Sequence, residues 1–244
     1  MNDANESRSI HDSDGDQDPL PSRLGATVVV FTGGDPMRTE VAQLLPDDAY
    51  VIAADSGLHT ALALDRSVDV VIGDFDSVTA EALAAATTAG ATIERHPVAK
   101  DQTDLELALD RALELTPARI VVVGGHGGRL DHFLANALLL ASERYAAVAV
   151  QAYMGDGVVY VVRDAVDLRG REGDPLTLLP AHGSAHDVVT EGLRFPLRGE
   201  TLHPGSTRGV SNEFVSTHAS VRVGDGVLLA VAPLFPIDNG PEHL

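Results

Sequence analysis

Asp74 and Asp76 stand two residues apart in Gly73-Asp74-Phe75-Asp76-Ser77, directly after the apolar run Val70-Val71-Ile72. Read as extended chain, alternation puts both carboxylates on one side and Phe75 on the other. Two carboxylates a few Å apart repel each other by on the order of 1 to 4 kcal/mol. A divalent cation removes that cost, and magnesium takes one or two carboxylates together with phosphate oxygens. The structural alternative is a surface turn whose Asp and Ser cap a helix starting near Thr79.

Three further segments put charge just past a buried-strand pattern. Val51-Ile52-Ala53-Ala54 runs into Asp55-Ser56-Gly57. Asp55 either caps the next helix or joins the acidic pair from the neighbouring strand end. Ala91-Thr92-Ile93-Glu94 precedes Lys100-Asp101-Gln102-Thr103-Asp104. There Thr103 and Glu106 form a capping box, and Asp104 in the first turn favours the helix dipole. Lys100 and Asp101 lie before the helix and have no such structural reason. Lys100 is also the single lysine among 17 basic residues.

The fourth segment, Ile120-Val121-Val122-Val123, leads into Gly124-Gly125-His126-Gly127-Gly128-Arg129-Leu130-Asp131-His132. Bare amides at such a strand-to-helix turn form an anion site. The GxGxxG spacing and a following acidic strand end are missing, and no Lys-Ser or Lys-Thr follows, so neither a dinucleotide fingerprint nor a Walker loop is present. Arg129, His132 and Asn136 share a helix face by spacing. Arg129 is placed to reach phosphates, whereas His132 and Asn136 serve equally well as hydrogen-bonded polar residues beneath the cleft. Thr207-Arg208-Gly209-Val210-Ser211-Asn212-Glu213 is a dense polar motif that by itself is no more than a capped turn.

The elements carrying these loops follow from periodicity. From Ala26 to about Gln151 apolar runs alternate with helical patterns over 37–45, 57–64, 79–88, 104–115 and 130–144. Such alternation predicts an α/β domain, a parallel sheet with helices on both faces. Ligands then bind beyond the carboxyl ends of the strands, which gathers the four loops into one acidic cleft suited to a magnesium-bound polyphosphate. Beyond Tyr153 short β-rich pieces alternate with turns, and Gly155-Asp156-Gly157 and Gly224-Asp225-Gly226 read as hairpins. That predicts a C-terminal antiparallel β-sandwich. The expected organisation is an acidic disordered segment 1–24, an α/β domain 25–152, a β-sandwich 153–235 and a tail 236–244. Within the first segment Asp12–Asp18 is acidic like a calcium loop, but Gln17 and Arg23 occupy the positions that need Gly and Glu.

Composition narrows the function classes. The chain has 244 residues, no cysteine and a net charge of -19. Strong acidity without a basic cluster speaks against nucleic acid. The lack of a long apolar run speaks against a membrane span, and the lack of cysteine against disulfides. A cytoplasmic protein is expected.

Taken in series, ADSG at 54–57, GDFDS at 73–77, KDQTDLELAL at 100–109, GGRLDHFLANALLL at 127–140 and GVSNEF at 209–214 resemble the thiamine pyrophosphokinase family. The resemblance covers nearly everything from 26 to 235. It implies a Rossmann-like α/β domain plus a β-sandwich, a homodimer, and transfer of the pyrophosphoryl group of ATP to thiamine with release of AMP. It implies Asp55, Asp74, Asp76 and Asp101 as the Mg2+ and catalytic set, with Lys100, Asp104, Arg129, Asp131 and His132 at the ATP phosphates. It implies Asp76, Ser211 and Asn212 near thiamine, in a pocket at the dimer interface. Two departures stand out: the family's usual ADGG reads ADSG, with Ser56, and no Trp is present to stack on the pyrimidine. Two alternatives are a pyrophosphokinase for another alcohol of the hydroxymethylpterin kind and a non-catalytic thiamine or nucleotide sensor.

Overall fold

The computed structural model describes residues 27–99 and 101–235. The acidic segment 1–24, the tail 236–244 and Lys100 therefore lie outside the described residues. Six parallel strands open the fold: β1 (Thr27–Phe31), β2 (Tyr50–Ala54), β3 (Val70–Gly73), β4 (Thr92–Arg95), β5 (Arg119–Val123) and β6 (Ala149–Met154). Their spatial order is β4-β3-β2-β1-β5-β6. The chain walks outward from β1 to β4, then crosses back to β5. The loops leaving β1 and β5 therefore part at a topological switch point, where open α/β sheets bind ligands.

Alternation along each strand fills both faces of the sheet. Val29, Phe31, Val51, Ala53, Val71, Val121 and Val123 join one core with Leu58 and Ala61 of α1 (Gly57–Ala63) and Ala82 and Ala86 of α2 (Ala80–Thr88). Val28, Val30, Ile52, Ile72, Ile120 and Val122 join another, with Leu105, Ala108 and Leu109 of α3 (Asp104–Glu114). The Met37–Leu45 pattern produces only a 3-10 helix, Thr39–Leu44, with Val41 as its one buried residue. The 130–144 pattern divides into α4 (Leu130–Leu140) and a 3-10 turn, Glu143–Tyr145.

Gly57 sets how closely α1 approaches β1. A Cβ there would run into the Phe31 carbonyl and lie 2.7 Å from Thr32 Cα, so backbone would have to move. Gly57→Ala should lower stability by about 1–3 kcal/mol, read as a shifted urea midpoint at constant slope.

The β-rich half does not break away at Tyr153. β6 turns through Gly155, at φ 58°, into β7 (Gly157–Val162) and pairs with it antiparallel, so the sheet continues. Next come β8 (Ala165–Arg169), β9 (Pro175–Glu191), β10 (Arg198–Leu202), β11 (Asn212–Glu213), β12 (His218–Arg222) and β13 (Asp225–Pro233). β9 is shared: 177–181 and, past an irregularity, His186 pair with β13, whereas residues within 185–191 pair with β10 and β12. Leu176, Leu178, Leu228 and Ala230 share one core with Leu168, Val188, Leu202, Ala219 and Val221. The first predicted hairpin is present and the second is not. Gly224-Asp225-Gly226 carries the chain from β12 across to β13 on the other side of β9. A glycine-rich turn suits a change of sheet as well as a hairpin, and sequence does not separate the two.

Candidate active site

The acidic residues are aimed by unusual backbone. Asp55 follows β2 at φ 44°, and its N–H donates to the Ile72 carbonyl at 2.8 Å. Phe75 takes φ 65° between Asp74 and Asp76, so this segment is no simple extended strand. Two anchors hold it. Phe75 is buried, with the Arg95 guanidinium 4.7 Å from its ring centroid. Arg95 also donates to the Asp74 carbonyl at 2.9 Å. The result agrees with the sequence expectation in one respect: a carboxylate oxygen from each of Asp55, Asp74 and Asp76 lies within 4.8 Å of the others.

Asp55 Oδ1 is buried and has no hydrogen-bond partner among the described residues. Burial, and after it the charges of Asp104, Asp76 and Asp74, raise the Asp55 pKa above the usual carboxylate value, against an opposing Ser56 N–H. An orphaned buried oxygen beside two more carboxylates fits a divalent cation, and an all-oxygen donor set fits magnesium. A carboxyl with a raised folded-state pKa contributes stability that is present below its unfolded value, near 3.8, and lost as pH rises through the folded one. Without metal, the parent should therefore lose more stability than Asp55→Asn on raising pH above 3.8. Thermal melts at stepped pH in chelator check this, and added magnesium should abolish the difference.

Asp104, the first residue of α3, reaches over the end of β3: a Cβ on Gly73 would lie 3.2 Å from Asp104 Oδ1 and 3.2 Å from Asp55 Cβ. Its carboxylate thus faces the cluster as well as serving the helix. The Thr103 half of the predicted capping box is formed, with Glu106 N–H donating to Thr103 Oγ1 at 3.2 Å. Asp101 is exposed and stands outside both the cavity lining and the three-carboxylate group. Its neighbour Gln102 donates to Asp110 at 2.8 Å, and Asp110 is held in turn by Arg144 at 2.6 Å and Tyr145 at 3.2 Å. This network ties the loop to the helix behind it.

The opposite wall comes from the switch point. Thr32 N–H donates to Val123 O, Gly125 N–H to Gly33 O and Asp35 N–H to His126 O, at 2.7–2.9 Å. Side chains on Gly124 or Gly127 would strike the Thr32 carbonyl and the Asp35 carboxylate respectively. Between the walls lies a cavity of about 600 Å³ lined by Asp55, Asp74, Asp76 and Asp104, by Gly125, Gly127 and Gly128, and by Arg129, His132 and Asn136. The helix-face spacing of the last three therefore reports true neighbours. Asp131 is exposed and outside this lining; it binds Arg129, whose guanidinium holds its pKa down at about 2. Thr32–Asp35 and Ser56 also line the cavity. The first of these loops follows the strand-end rule but carries no charge before Asp35, so the sequence offers no chemical signal there.

Ser211 and Asn212 are outside this cavity. Asn212 is buried and structural: Oδ1 accepts from Phe195 N–H and Glu213 N–H, each at 2.9 Å, and Nδ2 donates to Phe195 O at 2.8 Å. Ser211 is exposed at φ 59°, and its N–H donates to Thr177 Oγ1 at 3.1 Å. Thr177 borders a second cavity of about 770 Å³ with Arg38, Arg171 and Phe235.

Two family models match the chain. Residues 41–152 match the family model for the thiamin pyrophosphokinase catalytic domain. Residues 165–228 match that for the thiamin pyrophosphokinase vitamin B1 binding domain. Thiamine pyrophosphokinase of Bacillus subtilis (strain 168) is 30% identical over 182 residues, 74% of this chain and 85% of the relative. A crystal structure of Bacillus subtilis thiamine pyrophosphokinase superposes with a TM-score of 0.75 at 26% identity, covering 85% of this chain and 98% of the other. That from Geobacillus thermodenitrificans gives 0.72 at 25%, covering 86% and 98%. The Candida albicans enzyme shares the fold, at 0.70 and 15%, over 87% and 90%.

Proposed function

The chain belongs to the thiamin pyrophosphokinase family, and from that premise we infer that it moves the pyrophosphoryl group of ATP onto thiamine, giving thiamine diphosphate. The observation that carries the local chemistry is the carboxylate group of Asp55, Asp74 and Asp76 with its unpartnered buried oxygen. It faces glycine-rich backbone and Arg129 across one cavity. These three residues would hold magnesium, which when bound neutralises phosphate charge. Glycine amides of the 124–128 turn and Arg129 orient the polyphosphate.

The thiamine hydroxyl attacks the β-phosphorus in line. A new oxygen–phosphorus bond forms, the bond from the β-phosphorus to the α–β bridging oxygen breaks, and AMP leaves with that oxygen. The hydroxyl proton passes to a cavity carboxylate. Positioning and charge neutralisation carry such transfers. Arg129 holds Asp131 through Nε and one Nη, which leaves further guanidinium donors for phosphate, and the position of Asp131 suits a guide rather than a ligand.

We also infer a homodimer, because Ser211 and Asn212 do not reach the carboxylates of their own chain. A second copy would bring its thiamine-side surface to the cleft. No helix among the described residues is long and apolar enough to cross a membrane, and a cysteine-free composition agrees with the cytoplasmic location expected from sequence. Incubation with ATP, magnesium and thiamine should yield AMP and thiamine diphosphate in equal amounts. Release of ADP, or no thiamine-dependent AMP, would refute the assignment.

A further inference from the structure

Arg129 caps the start of α4, and together with His132 and Asn136 of that helix it lines the acidic cavity. Little of α4 is packed, however. Only Leu140 is fully buried, while Phe133, Ala137 and Leu139 rest on the core from partly covered positions. The carbonyl end lacks the usual local supports. No basic residue occupies the last turn, so the helix supplies no cation against the negative pole of its own dipole. Its final carbonyls also need donors from elsewhere.

Both come from the β-rich half. Arg163, just past β7, donates through Nη2 to the carbonyls of Ala141 at 2.6 Å and Ser142 at 2.8 Å. Its Nη1 meets Glu143 at 3.2 Å. From β9, His182 Nε2 stands 2.9 Å from the Leu138 carbonyl. A carbonyl only accepts, so the imidazole donates there. Beside these bonds the chain leaves a cavity of about 630 Å³, bordered by Ala146, Ala181 and the Gly224-Asp225-Gly226 turn. On this side the helix end is therefore held by hydrogen bonds across a gap.

We propose that Arg163 and His182 are positioning residues for the transfer: by holding the carbonyl end of α4 they set where Arg129 stands at its other end. The proposal rests on the pyrophosphokinase reading above, which brings the phosphates to Arg129. A helix of eleven residues is about 16 Å long, so a tilt of about 5° at one end moves the other by about 1.4 Å. A misplacement of about 1 Å can cost on the order of 10²-fold in rate. The β-rich half would thus act on the phosphate side of its own subunit, a role separate from the surface around Ser211 and Asn212.

Arg163→Met keeps the aliphatic stem and loses the donors. His182→Gly loses its donor and suits the backbone, which takes φ 59° at this exposed position. In calorimetric titrations of full-length protein with magnesium-ATP, the double variant should bind about tenfold more weakly than the parent, and His182→Gly alone about threefold. Arg163→Lys, which keeps the charge, should fall closer to the parent than Arg163→Met. The same pair of changes is then made in an Arg129→Met background. There it should alter affinity by less than about twofold, because the phosphate contact that it positions is already gone. A purely structural clamp would cost the same in both backgrounds. His182→Gly alone carries this comparison if Arg163→Met does not fold. An undiminished loss in the Arg129→Met background would overturn the inference and leave the function intact. So would parental affinity in His182→Gly and the double variant while Arg129→Met binds weakly. A parent that does not bind magnesium-ATP would overturn both.

Discussion

Asp76→Asn should leave a folded protein whose turnover of ATP and thiamine falls by about 10³-fold or more. An amide keeps the shape of the side chain and loses the charge that a cation needs. Asp76 is exposed and contributes no buried contact, so a folding defect is not expected. It accepts from the Ser77 hydroxyl at 2.8 Å, a bond the amide oxygen can keep. The same change should act on metal-free stability in the opposite direction. Removing one charge from a crowded group relieves on the order of 1 kcal/mol of repulsion, so the variant should melt higher than the parent in chelator. With magnesium present the order should reverse, because a ligand that binds only the native state stabilises the parent more. Activity within a few-fold of the parent, or no change in the order of melting, would remove Asp76 from the metal site.

The contrast among the acidic residues explains how far sequence carries. Asp55, Asp74 and Asp76 were legible because they follow two apolar strands of a parallel sheet, and parallel strands all deliver their carboxyl ends to one edge. Sequence does not show how local backbone turns each side chain. Phe75 and Asp55 take left-handed conformations, which Asp tolerates but nothing about Phe predicts, and those conformations make the carboxylates converge. Asp101 and Asp104 show the reverse difficulty. Asp104 has a sufficient local explanation as a first-turn residue, which conceals that the same position overlooks Gly73. Asp101 lacks a local explanation and so draws attention, yet its side chain is exposed outside the cavity. The continuous sheet across 152/153 was also hidden, since texture changes there while hydrogen bonding does not.

Leu134→Arg with Leu138→Arg should yield a monomer that still binds magnesium-ATP normally but has lost about 100-fold or more of its thiamine turnover. Helix α4 has eleven residues and fully buries only Leu140. Leu130, Leu134 and Leu138 recur every fourth residue and are 70%, 52% and 51% exposed. Such spacing forms a continuous apolar stripe along one side of the helix. Arg129 caps the same helix, which places His132 and Asn136 in the cavity lining, so whatever covers the stripe also borders the active site. A matching surface is available on the chain itself. Phe195, Val210 and Val215 are 51%, 41% and 49% exposed around the Ser211-Asn212 motif, which lies outside the carboxylate cavity of its own subunit. Docking that patch of one copy onto α4 of the other would hide both apolar surfaces and complete the acceptor side in one step. Arginines at already exposed positions leave the monomer fold intact, so the test separates association from folding. Light scattering gives the mass, calorimetry the magnesium-ATP affinity, and the AMP assay the turnover. A double variant that stays dimeric, or a monomeric one that keeps full turnover, would show that α4 does not join the subunits at the active site.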